Sequence, residues 1–222
     1  MVTDFLYNVF AFDDESPLLF TQLYFWVFFA VVVACMLPLR NKLLMRNTFL
    51  FFVSVFFYYK TSGIFTLILL FATLLSFFTG RCIGKAKTEG GRKGWLVTGI
   101  VVSLSVLCYF KYAYFITDMV NELFGTDFVV IDYFAQIGNA IVGDNIFRAD
   151  VIFLPVGISF YTFQCISYLM DIYRRRITPV PNILDYGFYV SFFPQLVAGP
   201  IVRANEFMRQ LYRPYNLSRK YF

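Results

Sequence analysis

Residues Leu154–Arg203 read LPVGISFYTFQCISYLMDIYRRRITPVPNILDYGFYVSFFPQLVAGPIVR, and this stretch decides the fold class. The twenty residues from Val151 to Met170 carry no charge. As a helix they extend about 30 Å, enough to cross the hydrocarbon core of a bilayer. Pro155 and Gly157 sit near their start, and Tyr161, Thr162, Gln164, Ser167 and Tyr168 place polar groups among them. Asp171 and Arg174–Arg176 close the run. After Pro179 and Pro181 a second apolar run, Tyr186–Val202, is interrupted by Pro194-Gln195 and Gly199-Pro200. Proline frees backbone groups that hydrocarbon cannot satisfy, so a broken segment at membrane depth must be covered by protein or line a wet cavity.

Working outward, the 222 residues are 59% hydrophobic, 22% aromatic and 15% charged, with a mean hydropathy of +0.65. Soluble domains carry about 25% charged residues, so the composition is that of a polytopic membrane protein. The net charge of +5 does not point to nucleic acid, because the cations gather in short segments between apolar runs. Cys35, Cys82, Cys108 and Cys165 are isolated, form no CxxC pair and read as small hydrophobes. No cluster suggests a metal site.

Further apolar runs lie at Phe20–Leu37, Thr48–Tyr59, Ile64–Phe78 and Trp95–Ile116. The second has only twelve residues and needs extension through Leu43–Asn47, a tilt or a re-entrant path. Lys60–Gly63 reads as a turn, Gly80 as the close of the third run, and the Gly-rich, basic Arg81–Gly94 as a loop. Interfacial helices are expected at Phe5–Phe12 and Phe128–Val142. The expected fold is all-α: a transmembrane bundle of about five spans, with a broken or re-entrant segment near 186–202. Lysine and arginine at Arg40–Arg46, Arg81–Lys93 and Arg174–Arg176 place those segments inside, and hence the N-terminus outside. The segments left outside carry ten acidic residues against Lys60 and Arg148.

Tyr161, Gln164 and Tyr168 share one helix face. That face suits either a polar tunnel wall or hydrogen bonds between helices. Gln195, framed by Pro194 and by Gly199-Pro200, has an amide that donates and accepts. Asp171 stands three and four residues before Arg174 and Arg175, the spacing of a helical ion pair. Positive-inside anchoring alone explains the three arginines, and a dock for a donor's phosphates or a partner's carboxylates is the sharper alternative.

The segments LPVGISFYTFQCISYLMDIYRR (154–175) and DYGFYVSFFPQLVAGPIVR (185–203) resemble the membrane-bound O-acyltransferase family, within it the branch of the alginate O-acetyltransferase membrane subunit. Weaker likeness extends to SPLLFTQLYFWVFF (16–29), FFYYK (56–60) and YFKYAYF (109–115). The resemblance implies O-acetyl transfer to an exopolysaccharide in a bacterial inner membrane. The donor would be an acyl thioester, acetyl-CoA or carrier-linked, entering from the cytoplasm, with no bound cofactor. The glycan acceptor would lie outside, with a periplasmic acetyltransferase partner. Tyr161, Gln164, Tyr168, Pro194, Gln195, Gly199 and Pro200 would line the acyl-donor tunnel, and Asp171, Arg174, Arg175 and Arg203 would mark the donor side. Family members are longer, and their catalytic histidine lies in the second half. This sequence contains no histidine, so it reads as the N-terminal part of such a domain, with no catalytic residue of its own. A non-catalytic scaffold or degraded paralogue, half of a secondary transporter, and D-alanyl transfer to teichoic acid stand as alternatives.

Overall fold

The computed structural model describes residues 23–39, 41–142, 152–199 and 202–212. Regular structure among them is entirely helical: α1 (Leu23–Leu39), α2 (Leu43–Ser62), α3 (Thr66–Lys85), α4 (Glu89–Phe124), α5 (Tyr133–Val142), α6 (Ile158–Tyr173), α7 (Ile183–Ser191), α8 (Phe193–Ala198) and α9 (Ala204–Leu211). The expected helix at Phe5–Phe12 lies outside the described residues.

Among the described residues two stretches are long and apolar enough to cross a membrane, Leu43–Lys85 and Glu89–Phe124. The first contains a reversal. A 3-10 turn, Gly63–Phe65, joins α2 to α3, with Gly63 at φ 56°. Asn47 on α2 and Ser76 on α3 bond to Asp185 and Tyr186, consecutive residues of α7. On one straight helix those two partners would stand about 44 Å apart, so the chain must fold back at Gly63. Of the five expected spans, the others are shorter helices, 17 residues in α1 and 16 in α6.

Several boundaries differ from the sequence reading. The short run at Thr48–Tyr59 is extended in both directions, to Leu43 and to Ser62, so Lys60–Ser62 is helix rather than turn. Gly80 does not close α3. It lies mid-helix beneath α6, where an added Cβ would stand 2.7 Å from the Tyr168 ring and 2.9 Å from Ile172. Arg81–Gly94 is mostly helical, with a break only at 86–88. Thr88 caps α4 by accepting from the Gly91 amide at 3.1 Å, which supplies the start signal that the glycines obscured. Similarly, Asp132 accepts from the Phe134 and Ala135 amides and starts α5 at Tyr133 rather than near Phe128.

The run Val151–Met170 is not one helix. Residues 152–155 are irregular, and α6 begins only after Gly157, in the left-handed region at φ 73°. A side chain there would be strained, and its Cβ would meet the Leu196 carbonyl oxygen at 2.8 Å. α6 is the centre of the bundle, packed against α3 and α4, while α7 packs against α2 and α3. α9 packs against α6 and α7.

Candidate functional site

α6 and α7 face each other through tyrosines. Tyr161, Tyr168, Tyr186 and Tyr189 are all fully buried. The Tyr168 and Tyr186 rings lie 4.4 Å apart, centroid to centroid. Three of the four hydroxyls are bonded. Tyr168 accepts from the Val180 amide at 3.1 Å, Tyr186 donates to Ser76 Oγ at 2.8 Å, and Tyr189 donates to the Val202 carbonyl at 3.1 Å. Gln164 Nε2 donates to the Tyr189 carbonyl at 2.8 Å. The face read from sequence at Tyr161, Gln164 and Tyr168 therefore exists, and two of its three members are engaged in bonds to neighbouring segments. Tyr186, Tyr189 and Ser76 escaped the sequence reading. The signal was available, since phenols inside apolar helices need partners.

The expected break in 186–202 is present. α7 stops at Ser191, Phe192 leaves helical geometry at ψ 104°, and Pro194 occupies the first turn of α8, where its missing amide costs nothing. Gln195 is buried in the same turn. Gly199 follows in extended conformation, so close that a Cβ would stand 2.5 Å from Gln195 Cα. Leu196 reaches back to Gly157, joining the start of α6 to the break. Pro200 lies outside the described residues.

The charges are arranged differently from the helical pairing expected of Asp171 with Arg174 or Arg175. α6 ends at Tyr173, which removes the helical spacing. Arg175 takes the left-handed conformation at φ 59°, and the Arg176 and Arg175 amides bond to the Asp171 and Ile172 carbonyls. This is a Schellman turn with arginine where glycine is usual. It brings Arg176, not its neighbours, to the buried Asp171 carboxylate at 3.6 Å. Arg175 pairs instead with Glu89 at the start of α4. Arg174 is exposed at the helix end, and Arg203 is exposed at the start of α9.

Two buried cations were not foreseen. Arg92 donates to the carbonyls of Ile83, Ile172 and Tyr173 at 3.0–3.1 Å, satisfying the ends of α3 and α6 together. Arg46 donates to the Leu211 carbonyl and to Asn47, whose amide donates to Asp185 at 2.9 Å. Tyr212 donates to the other Asp185 oxygen at 2.9 Å. Burial and the adjacent carboxylate push the Tyr212 phenol above its ordinary value. Beside this network a cleft of about 230 Å³ opens between Ile177–Pro181 and α9, lined also by Asn205, Met208 and Arg209. Among the described residues no group of His, Cys, Asp or Glu is arranged to hold a metal.

The arrangement is thus a tightly bonded polar core with a basic, partly open face. Over 167 residues, 74% of this chain and 29% of the relative, the sequence is 37% identical to the probable alginate O-acetylase AlgI of Pseudomonas aeruginosa. The similarity is to a protein named as an alginate O-acetylase. The probable alginate O-acetylase AlgI of Azotobacter vinelandii is 33% identical over 176 residues, 77% of this chain and 30% of the relative. The peptidoglycan O-acetyltransferase of Helicobacter pylori is 28% identical over 197 residues, 78% of this chain and 33% of the relative. The chain spans about a third of the length of these relatives. No family model and no solved structure matches it. The relationship agrees with the likeness read from 154–203, and the apolar spans agree with a membrane protein.

Proposed function

We propose that this chain is the N-terminal part of a membrane-bound O-acyltransferase that transfers acetyl groups to an exopolysaccharide such as alginate. The observation that carries the reading is the 37% identity to a probable alginate O-acetylase. The broken α7–α8 segment, covered by packed protein, supports it. The protein sits in the bacterial inner membrane with its N-terminus outside. An acetyl thioester, free or carrier-linked, approaches the side bearing Arg174, Arg175 and Arg203. The glycan and a periplasmic acetyltransferase partner meet it on the other side.

Acyl transfer to a hydroxyl needs a base to take the proton and donors for the tetrahedral oxyanion. Asp171 is tied to Arg176, and the sequence holds no histidine. In this reading, as the resemblance implies, the base comes from residues outside these 222, and this part supplies a wall. Tyr161, Gln164 and Tyr168 from α6, with Pro194, Gln195, Gly199 and Pro200 from the broken segment, form the side of the donor tunnel that this chain contributes. The relatives favour this reading over a scaffold, a transporter half or D-alanyl transfer. Peptidoglycan is the second acceptor to consider, because one relative is a peptidoglycan O-acetyltransferase.

The test is acetyl transfer by the complete protein, reconstituted in vesicles with labelled acetyl-CoA and each glycan. Label appearing on alginate supports the reading, and label on peptidoglycan alone changes the acceptor. No label on either glycan, with the partner present, overturns it.

A further inference from the structure

Hydroxyls in the bundle follow a rule with a localised exception. Thr61, Thr73, Ser76, Thr98, Ser103 and Ser105 all bond back to the carbonyl four residues earlier. This is the ordinary way a helix hides a hydroxyl in apolar surroundings. Ser54, Ser62 and Ser191 do not, and with Tyr161 Oη they are buried hydroxyls with no hydrogen-bond partner among the described residues. Leaving such a group unbonded costs about 1–3 kcal/mol.

The exceptions lie along one seam. α2 and α7 run in the same direction there, since Asn47 bonds Asp185 and the Phe51 ring lies against Gly187. Seven residues on from Asn47 and six on from Asp185, both helices have advanced about 10 Å, which brings Ser54 level with Ser191. Two turns further along α2, Ser62 Oγ and Tyr161 Oη approach the Tyr58 hydroxyl, yet both remain without a hydrogen-bond partner. Tyr58 donates past them to the Val156 carbonyl at 2.7 Å. Buried hydroxyls that lie near one another without hydrogen-bond partners are the setting in which water bridges.

We propose that Ser54, Ser191, Tyr161 and Ser62 bind ordered water, forming a hydrated track along the α2 seam from mid-helix to the Ser62 end. The site stands independently of the acyl-transfer reading. Each water accepts a hydrogen bond from a hydroxyl or donates one to it, so the four groups cease to be orphans without any change in the helices.

Radiolytic hydroxyl-radical footprinting of the complete protein in nanodiscs tests this, because bound water generates radicals where it sits. Tyr161 is expected to be modified severalfold faster than Tyr168 and Tyr186, which are equally buried but have protein-bonded hydroxyls. Ser62→Ala should bring Tyr161 down towards those two. Tyr161 modified no faster than Tyr168 and Tyr186 overturns the proposal. Thermal stability gives a second reading of opposite sign for the two cases. Ser54→Ala and Ser191→Ala lower Tm if their hydroxyls hold water. A Tm unchanged or raised shows a dry seam and overturns it there.

Discussion

Along α6 and α7, Tyr161, Tyr168, Tyr186 and Tyr189 are sealed from solvent, whereas along α4, Trp95, Tyr112, Tyr114 and Phe115 stand at the surface. The two regions are similar in aromatic content and opposite in environment. The difference lies in what sits opposite each ring. α6 is approached by Gly80 of α3 and Gly99 of α4, whose missing side chains let backbones close on Tyr168 and Leu169. α4 buries only a stripe, Arg92, Leu96, Gly99, Ser103, Leu107 and Phe110, spaced three and four residues apart. Small residues in that stripe admit close packing, as membrane helices use it, and the remaining surface is exposed. Aromatic content alone therefore does not separate core from rim. Glycine placement does.

The comparison breaks most completely at Gly80. Gly80→Leu must push against the Tyr168 ring and Ile172, an overpacking cost of about 3 kcal/mol. Gly94 on α4 has nothing within 4 Å of a Cβ, so Gly94→Leu serves as its control. Detergent-extracted, monodisperse yield should collapse for the first and hold for the second. Equal yields would show that the α3–α6 approach is not tight.

Arg92→Met comes next. It strips three helix-end carbonyls of a charged donor, at a cost of about 2–3 kcal/mol. Arg175→Ala removes an exposed pair worth under about 1 kcal/mol. Thermal melts of the two variants should differ plainly, and comparable melts would count against Arg92 as the clip between α3 and α6. Tyr186→Phe sharpens the contrast at smaller scale. It deletes the bond to Ser76 and should cost about 1 kcal/mol, while Tyr112→Phe at the rim should cost nothing measurable.

How much of this was legible in sequence follows the same division. The break at Phe192–Gln195 was visible because proline and glycine act locally, and the polar face of α6 because helical spacing is local. The α4 start was missed because Gly90, Gly91 and Gly94 outweighed Thr88, a single cap, in the reading. The Asp171 pairing was missed because it depends on where α6 stops, and a left-handed arginine gives no compositional sign. Arg92 and Asn47 were beyond reach, since their partners lie 80 and 138 residues away and only tertiary packing brings them together.

The smallest effect concerns α9, which its Tyr212–Asp185 bond ties to the bundle. The folded phenol holds its proton to higher pH than the unfolded one, for which the ordinary value is 10.0. Its stabilising contribution is thus whole below about pH 10 and is lost as pH rises towards the raised value. Tyr212→Phe should make protection of α9 amides less sensitive to alkaline pH in hydrogen exchange. Identical pH dependence in both proteins would remove Tyr212 from the account.

The central claim is that this bonded core belongs to an acetyl-transferring machine. It is tested most directly by the O-acetyl content of the exopolysaccharide from cells deleted for the complete gene and complemented with wild type or Gly80→Leu. The expected result is loss on deletion, full restoration by wild type and little by Gly80→Leu. Unchanged O-acetyl content on deletion, in cells with no second copy of the gene, would contradict it.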